Sequence, residues 1–198
     1  MKPIYRCIGI DDGPFTPKTD AKIRHAPLLA VWLKGPHLHR FRADWITVDG
    51  LDATRTAELL LRGSVHTPVL LSGVTFGGFN LIDPWKVQKL CNAPVIVVVG
   101  SRPDNWAVKR ALFRHFPDWK KRWELIRSLG PLHKVRTMHS EGPVFFERFG
   151  SSTREAALIL KASAFVSRVP EPLRVAGILA RGLFSSEPFG WVSSYRSL

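Results

Sequence analysis

The sequence predicts an α/β fold: a mixed five-stranded sheet, an antiparallel meander followed by parallel strands, flanked by helices. Three observations predict it. Three strand-like runs come first and are joined without any helical pattern between them. From residue 53 onward, strand-like and helical stretches alternate. Strands joined by short turns pair antiparallel, whereas strands separated by helices add in parallel to the same sheet. The chain of 198 residues suits a single domain with a core of ordinary size, spanning 1–198. It contains no internal repeat or low-complexity segment.

The first strand is the apolar run Ile8 to Ile10, which ends in Asp11 and Asp12 and is stopped by Gly13 and Pro14. Pro27 to Leu33 is the second strand, closed by Gly35 and Pro36. Ala43 to Val48 is the third, running into Asp49-Gly-Leu-Asp52. Ala53 to Arg62 has helix composition, with Gly63 to end it. Pro68 to Leu71 is the fourth strand and leads into Ser72-Gly-Val-Thr-Phe-Gly-Gly-Phe-Asn80. Asp83 before Pro84 reads as an N-cap with proline in the first helical position, and that helix extends to about Cys91. Pro94 to Val99 is the fifth strand, and its continuous β-branched run suits burial on both faces. Helices are expected from about Ser101 to Phe116 and from Asp118 to Leu129. A hairpin or irregular strand pair is expected across 134–149. Ser152 to Ser163 and Leu173 to Phe184 read as the last two helices, and 185–198 as a loose tail.

Charge narrows the function classes. The net charge is +13 and the pI about 10.4. Residues 1–99 hold 12 Lys+Arg against 8 acids, and residues 100–198 hold 17 against 8. Such an excess favours a polyanionic partner, nucleic acid before an anionic membrane surface. Cys7 and Cys91 are too few for a disulfide scaffold and lack metal-site spacing, so buried thiols are expected. The amino terminus has no secretory pattern, and the longest apolar run is too short to span a bilayer. A cytoplasmic location with no membrane partner follows as the expectation.

The element order is that of the ribonuclease H-like arrangement. A flavodoxin-like sheet would want a helix between the first two strands, where residues 11–26 carry Gly13, Pro14 and Pro17. In this order the first strand is central and the fourth lies beside it. Successive strand residues point to opposite faces, so Asp11 and Asp12 do not share one pocket, and Asp11 is the expected inward carboxylate. Asp49 and Asp52 end the third strand on the same sheet edge as Asp11. Asp52 is better placed to reach back, although it equally suits the helix N-cap. Converging carboxylates at one sheet edge are what a Mg²⁺-dependent phosphodiesterase requires. Asp11, Asp52 and Asp49 are therefore the candidate catalytic residues, with Asp11 and Asp52 as metal ligands to Mg²⁺ or Mn²⁺. Ser72, Gly73, Gly77 and Asn80 are expected to wall the cleft. The loop lacks the lysine of a P-loop and the spacing of a dinucleotide fingerprint.

Five stretches carry a family resemblance: Gly9-Ile-Asp-Asp-Gly-Pro-Phe15, Val48-Asp-Gly-Leu-Asp-Ala-Thr54, Ser72 to Asn80, Ala93-Pro-Val-Ile-Val97 and Val169-Pro-Glu-Pro-Leu-Arg-Val-Ala176. With them the chain resembles a mostly archaeal family distantly related to endonuclease V, a Mg²⁺-dependent nuclease that cuts near deaminated bases such as inosine. The resemblance implies a ribonuclease H-like fold. It also implies that Asp11 matches the first metal-binding Asp of endonuclease V and that Asp49/Asp52 occupy the region of its catalytic Glu. Ser72-Gly73 matches a metal-binding Asp-Gly, so a serine stands where that family has a carboxylate. The lesion-wedge motif has no counterpart, and inosine specificity is not implied.

Residues 109–136 hold nine Lys+Arg against Asp118 and Glu124. Lys109, Arg110, Arg114, Lys120, Lys121 and Arg122 are the candidate nucleic-acid contacts, because cations on one segment displace counterions from phosphates. Trp119, Trp123 and Ile126 follow at helical spacing and read as a core-facing stripe. Glu171 and Arg174 are expected to pair structurally. The expected function is a Mg²⁺-dependent nuclease acting on DNA or RNA. The alternatives are a nucleic-acid-binding protein impaired in hydrolysis by Ser72, and a small-molecule or anion-binding protein using the Gly73–Asn80 loop.

Overall fold

Strands β1 (Arg6–Asp12), β2 (His25–Lys34) and β3 (His37–Thr47) form an antiparallel meander. They belong to a computed structural model that describes residues 6–15 and 24–184; the expected tail 185–198 lies outside the described residues. Helix α1 (Ala53–Leu60) carries the chain over the sheet to β4 (Val69–Leu71), which lies parallel to β1. A short ribbon, β5 (Thr75–Phe76) and β6 (Asn80–Leu81), interrupts the next connection. Helix α2 (Pro84–Cys91) then leads to β7 (Val95–Val99), parallel to β4. Asp83 caps α2 as expected, accepting from the amides of Trp85 and Lys86.

Beyond β7 a helical hairpin, α3 (Asn105–His115) and α4 (Trp119–Arg127), projects from the sheet end. Strands β8 (His133–Val135) and β9 (Val144–Phe149) follow as an antiparallel pair. They do not stand apart. β9 pairs antiparallel with β7, which makes one sheet of seven strands in the order β3-β2-β1-β4-β7-β9-β8. The sheet thus gains two strands over the expected five, because β7 otherwise leaves a row of unpaired backbone groups at an edge. Helices α5 (Thr153–Ser163) and α6 (Glu171–Phe184) complete the chain, with Ser152 capping α5.

Helices cover both faces. On one, α1 and α2 pack against Ile8, Ile10, Leu71, Val95 and Val97. On the other, α5 and the start of α6 pack against Cys7, Leu70, Ile96, Val98 and Phe146. This is why β1, β4 and β7 read as continuous apolar runs. A side chain at Gly9 in β1 would strike the backbone of Pro172, so glycine there lets α6 lie directly on the central strand. Glu171 and Arg174 pair at the start of α6, as expected.

One expectation about α4 is reversed. Trp119, Trp123 and Ile126 are only half-buried, and the residue of α4 that is buried is Arg122. The hairpin has little apolar surface to cover, so its tryptophans pack beside lysines rather than into a core.

Candidate active site

Ile10 of β1 is in register with Leu71 of β4, so the next residues, Asp11 and Ser72, emerge side by side on one face. The Ser72 amide donates to the Ile10 carbonyl at 3.0 Å, and the Ser72 side chain hydrogen-bonds the Asp11 carboxylate. The Asp12 amide donates to Asp11 Oδ1 at 3.0 Å. Helix α6 closes over this carboxylate at a glycine. A Cβ at Gly177 would lie 2.6 Å from Asp11 Oδ2 and 3.1 Å from Arg181 Nη1. Burial pushes the Asp11 carboxyl from its ordinary 3.8 to about 6. The Ser72 hydrogen bond opposes this, the charge of Asp12 adds to it, and the Arg181 charge opposes it.

The remaining acids do a different job. Asp12 faces the other side of the sheet, where its Oδ2 accepts from the Gly77 amide at 2.6 Å. Burial raises its pKa too, against that hydrogen bond. Asp49 adopts a left-handed backbone with φ 59°, and its Oδ1 accepts from the Phe79 amide at 2.9 Å. Asp52 stands at the N-cap position of α1, but its carboxylate turns back to accept from the amide and hydroxyl of Thr47 and from Asn80 Nδ2. Burial pushes Asp52 up, but these donors outweigh it and hold the carboxyl below its ordinary range. Asn80 Oδ1 meanwhile accepts from the Ala53 amide at 2.9 Å, and so caps α1 in place of Asp52.

Asp12, Asp49 and Asp52 are thereby gathered around Gly77 and Asn80 as anchors of the 72–80 loop. Asp11 is gathered with Ser72, Gly177 and Arg181 on the opposite face, and none of its contacts involves Asp49 or Asp52. The amides of Gly77 and Phe79 already meet carboxylates, so the loop is not an open cradle for an anion. Arg122 fastens the same loop from α4. It donates to the carbonyls of Asp49, Gly50 and Phe79 and pairs with Asp118. It departs from the expected nucleic-acid set, since its guanidinium is turned inward.

Among the described residues no three His, Cys, Asp or Glu side chains converge as a metal cage. Magnesium, however, keeps several waters and needs only one or two carboxylates beside substrate phosphates. One half-buried carboxylate with a neighbouring hydroxyl, Asp11 and Ser72, fits a single hydrated divalent ion arriving with a phosphate. It does not fit a pair of ions held by protein alone.

Next to Ser72 on the chain, Gly73 lines a cavity of about 480 Å³ between the 72–80 loop, β7, β9 and the α3–α4 hairpin. Val74, Phe79, Val97 and Leu129 give it an apolar wall, and Glu147 is the one acid among its lining residues. Glu147 pairs with Val97 across β9 and β7 and is 8% exposed. Burial pushes its carboxyl up to about 7. On the outer side of the hairpin, Arg110, Arg114, Lys120 and Lys121 are exposed. The Lys109 ammonium sits 5.7 Å and 5.6 Å from the ring centres of Trp106 and Trp123. Trp106 and Phe113 are 75% and 68% exposed, and Phe113 meets Trp119 edge-on.

Sequence reasoning passed over Gly177, Arg181 and Glu147. Glu147 had a signal. Alternation along Phe145-Phe-Glu-Arg-Phe149 puts it on the side of the buried Phe149. Gly177 and Arg181 had only helical spacing.

The family model described as endonuclease dU matches residues 3–184. A UPF0215 protein from Methanothermobacter thermautotrophicus is 38% identical over 196 residues, covering 96% of this chain and 93% of that protein. A crystal structure of a protein of unknown function from Archaeoglobus fulgidus superposes with a TM-score of 0.74 at 27% identity, over 89% of this chain and 96% of that one. Ciona intestinalis endonuclease V, in complex with DNA containing an inosine followed by a ribo-adenosine, gives 0.52 at 16% identity, over 87% and 83%. The last likeness is one of fold. No helix among the described residues is long and apolar enough to cross a membrane.

Proposed function

The chain belongs to the endonuclease dU family, and from that premise we propose that it is a phosphodiester-cleaving nuclease acting on DNA that carries a deaminated base such as deoxyuridine. The observation that carries the reading is the buried Asp11 carboxylate. It ends the central strand, is oriented by Ser72, and is raised to about 6 beside the Arg181 guanidinium. A carboxylate with a pKa near the working pH can take a proton from an attacking water. Ser72 holds its orientation, and Arg181 offers charge to a phosphate. A divalent ion held by Asp11 and the Ser72 hydroxyl would supply further charge stabilisation and a more acidic water.

The exposed cations of α3 and α4 support nucleic acid as the partner. Arg110, Arg114, Lys120 and Lys121 can neutralise phosphates, while Trp106 and Phe113 present rings on which unpaired bases can stack. A second reading rests on Ser72. A neutral hydroxyl beside Asp11 attracts a cation less than a carboxylate would, which leaves room for a protein that binds and does not cut.

One assay separates them: cleavage of labelled DNA with and without deoxyuridine, and with inosine, in Mg²⁺ or Mn²⁺. The expected outcome is cleavage of the deoxyuridine strand, its loss in Asp11→Asn, and a lower Mg²⁺ requirement in Ser72→Asp. Cleavage that survives Asp11→Asn places the chemistry elsewhere. Tight binding without cleavage by the wild type, unchanged by Ser72→Asp, favours the binding-only reading.

A further inference from the structure

We propose that the cavity beside the Asp11 site receives a nucleobase turned out of its strand, and that Glu147 pairs with the hydrogen-bonding edge of that base. The proposal rests on the nuclease reading and adds a pocket and a base-contacting residue to it. Its first support is the lining. A flat heteroaromatic ring needs apolar contact on its faces and polar partners at its rim. Val74, Phe79, Val97 and Leu129 offer the former, Glu147 the latter, and Arg102 and Asn105 also belong to the lining. A volume of about 480 Å³ lies within the ordinary range for small-molecule sites.

The second support is Glu147 itself. It is buried on a sheet face whose neighbours are Val97 and Phe149. It forms no ion pair among the described residues; those ion pairs are Arg24 with Asp49, Arg122 with Asp118, and Arg174 with Glu171. Burying a carboxylate without a cation is expensive, and the group avoids the penalty by holding a proton. Burial raises its carboxyl to about 7, opposed by its own backbone amide. A neutral carboxyl carries one donor and one acceptor side by side. That pair matches the ring N–H and adjoining carbonyl of uracil, with the O–H donating to the carbonyl and the C=O accepting from the N–H.

The third support is position. Gly73 lines the cavity, and the preceding residue, Ser72, bonds Asp11. A nucleotide whose base enters the cavity therefore keeps its phosphate at the sheet edge where Asp11 ends β1. Extruding the base from a duplex is easiest where pairing is already weak, as at a mismatch.

The test measures binding of the full chain, in EDTA, to labelled single strands that differ at one position: deoxyuridine or an abasic analogue. The wild type should prefer deoxyuridine by about tenfold, the lower end for a good two-bond contact to a base edge. Glu147→Gln keeps a donor beside an acceptor and should retain the preference. Glu147→Leu should lose most of it while binding the abasic strand as before. Val99→Phe, which fills the cavity with Glu147 in place, should lose it as well, and serves if Glu147→Leu does not fold. A wild type indifferent to the base overturns the proposal, and so does a preference that survives both Glu147→Leu and Val99→Phe. Glu147→Gln behaving like Glu147→Leu also overturns the pairing role. Asp11-dependent cleavage without base preference would leave the nuclease reading standing, whereas base preference with Asp11-independent cleavage would remove that reading and keep the pocket.

Discussion

Asp11 is held in a state that favours its proton, and that has a consequence for stability. Its carboxyl rises from 3.8 to about 6 on folding, chiefly through burial. The folded protein therefore binds the proton more tightly than the unfolded chain does. Stability from this group is fully present below about pH 4 and is lost as pH rises through about 6. Two pH units correspond to roughly 3 kcal/mol. Asp11→Asn should accordingly be more stable than the wild type at pH 7.5 without metal, by up to about 3 kcal/mol, with the difference vanishing near pH 4. Denaturant unfolding across that range checks it, and a difference independent of pH would refute the desolvation account. A residue that destabilises the fold at working pH is what a reactive site requires. Asp11 and Ser72 were legible because each directly follows an apolar run and chain order puts those runs together. Gly177 and Arg181 were not, since only the crossing of α6 over β1 brings them near Asp11. Asp49 and Asp52 were legible as carboxylates at a strand end but not as loop anchors, because their partners, Phe79 and Asn80, lie about thirty positions away in the sequence.

At the level of elements, the 72–80 loop and helix α4 depend on one another through Arg122. Its guanidinium is the donor for three carbonyls and the partner of Asp118, and it lies over the Phe116 ring at 4.4 Å. Removing it strands several buried acceptors and leaves Asp118 unpaired. Arg122→Ala should therefore cost about 3–5 kcal/mol, as when one partner of a buried pair is deleted. Arg122→Lys should restore little of this, because an ammonium cannot fork to several acceptors in a plane. Lys121→Ala, one position away and exposed, should change the urea midpoint by almost nothing. Equal effects at 121 and 122 would contradict the anchoring role. Sequence placed Arg122 among solvated cations because a charge run on a helix carries no mark of which member turns inward. The main strands and caps were readable from local chemistry, Asp83-Pro84 above all. The docking of β9 on β7 was not, since nothing within Val144 to Phe149 specifies which edge it completes.

For the molecule as a whole, the charge of +13 should act on association rather than on chemistry. The exposed cations of the α3–α4 hairpin border the cavity, so a strand entering it crosses Arg110, Arg114, Lys120 and Lys121. Each phosphate neutralised contributes about −0.7 to the log–log salt slope for single strands and about −0.9 for duplex DNA. Replacing these four residues by glutamine should therefore make the duplex slope shallower by about three to four. The same variant should weaken binding at low salt alike for deoxyuridine and abasic strands, because phosphate contacts carry no base information. Its cleavage rate at saturating DNA should match the wild type, since these side chains lie on the hairpin and not among the groups around Asp11. The decisive measurement is thus a split between KM and kcat, taken over a range of salt. A fall in kcat with KM unchanged would mean that the hairpin shapes the reaction centre itself. An unchanged salt slope would move the nucleic-acid path off α3 and α4. The remaining basic surface to test is β3, where His37, His39 and Arg40 are exposed along the sheet edge.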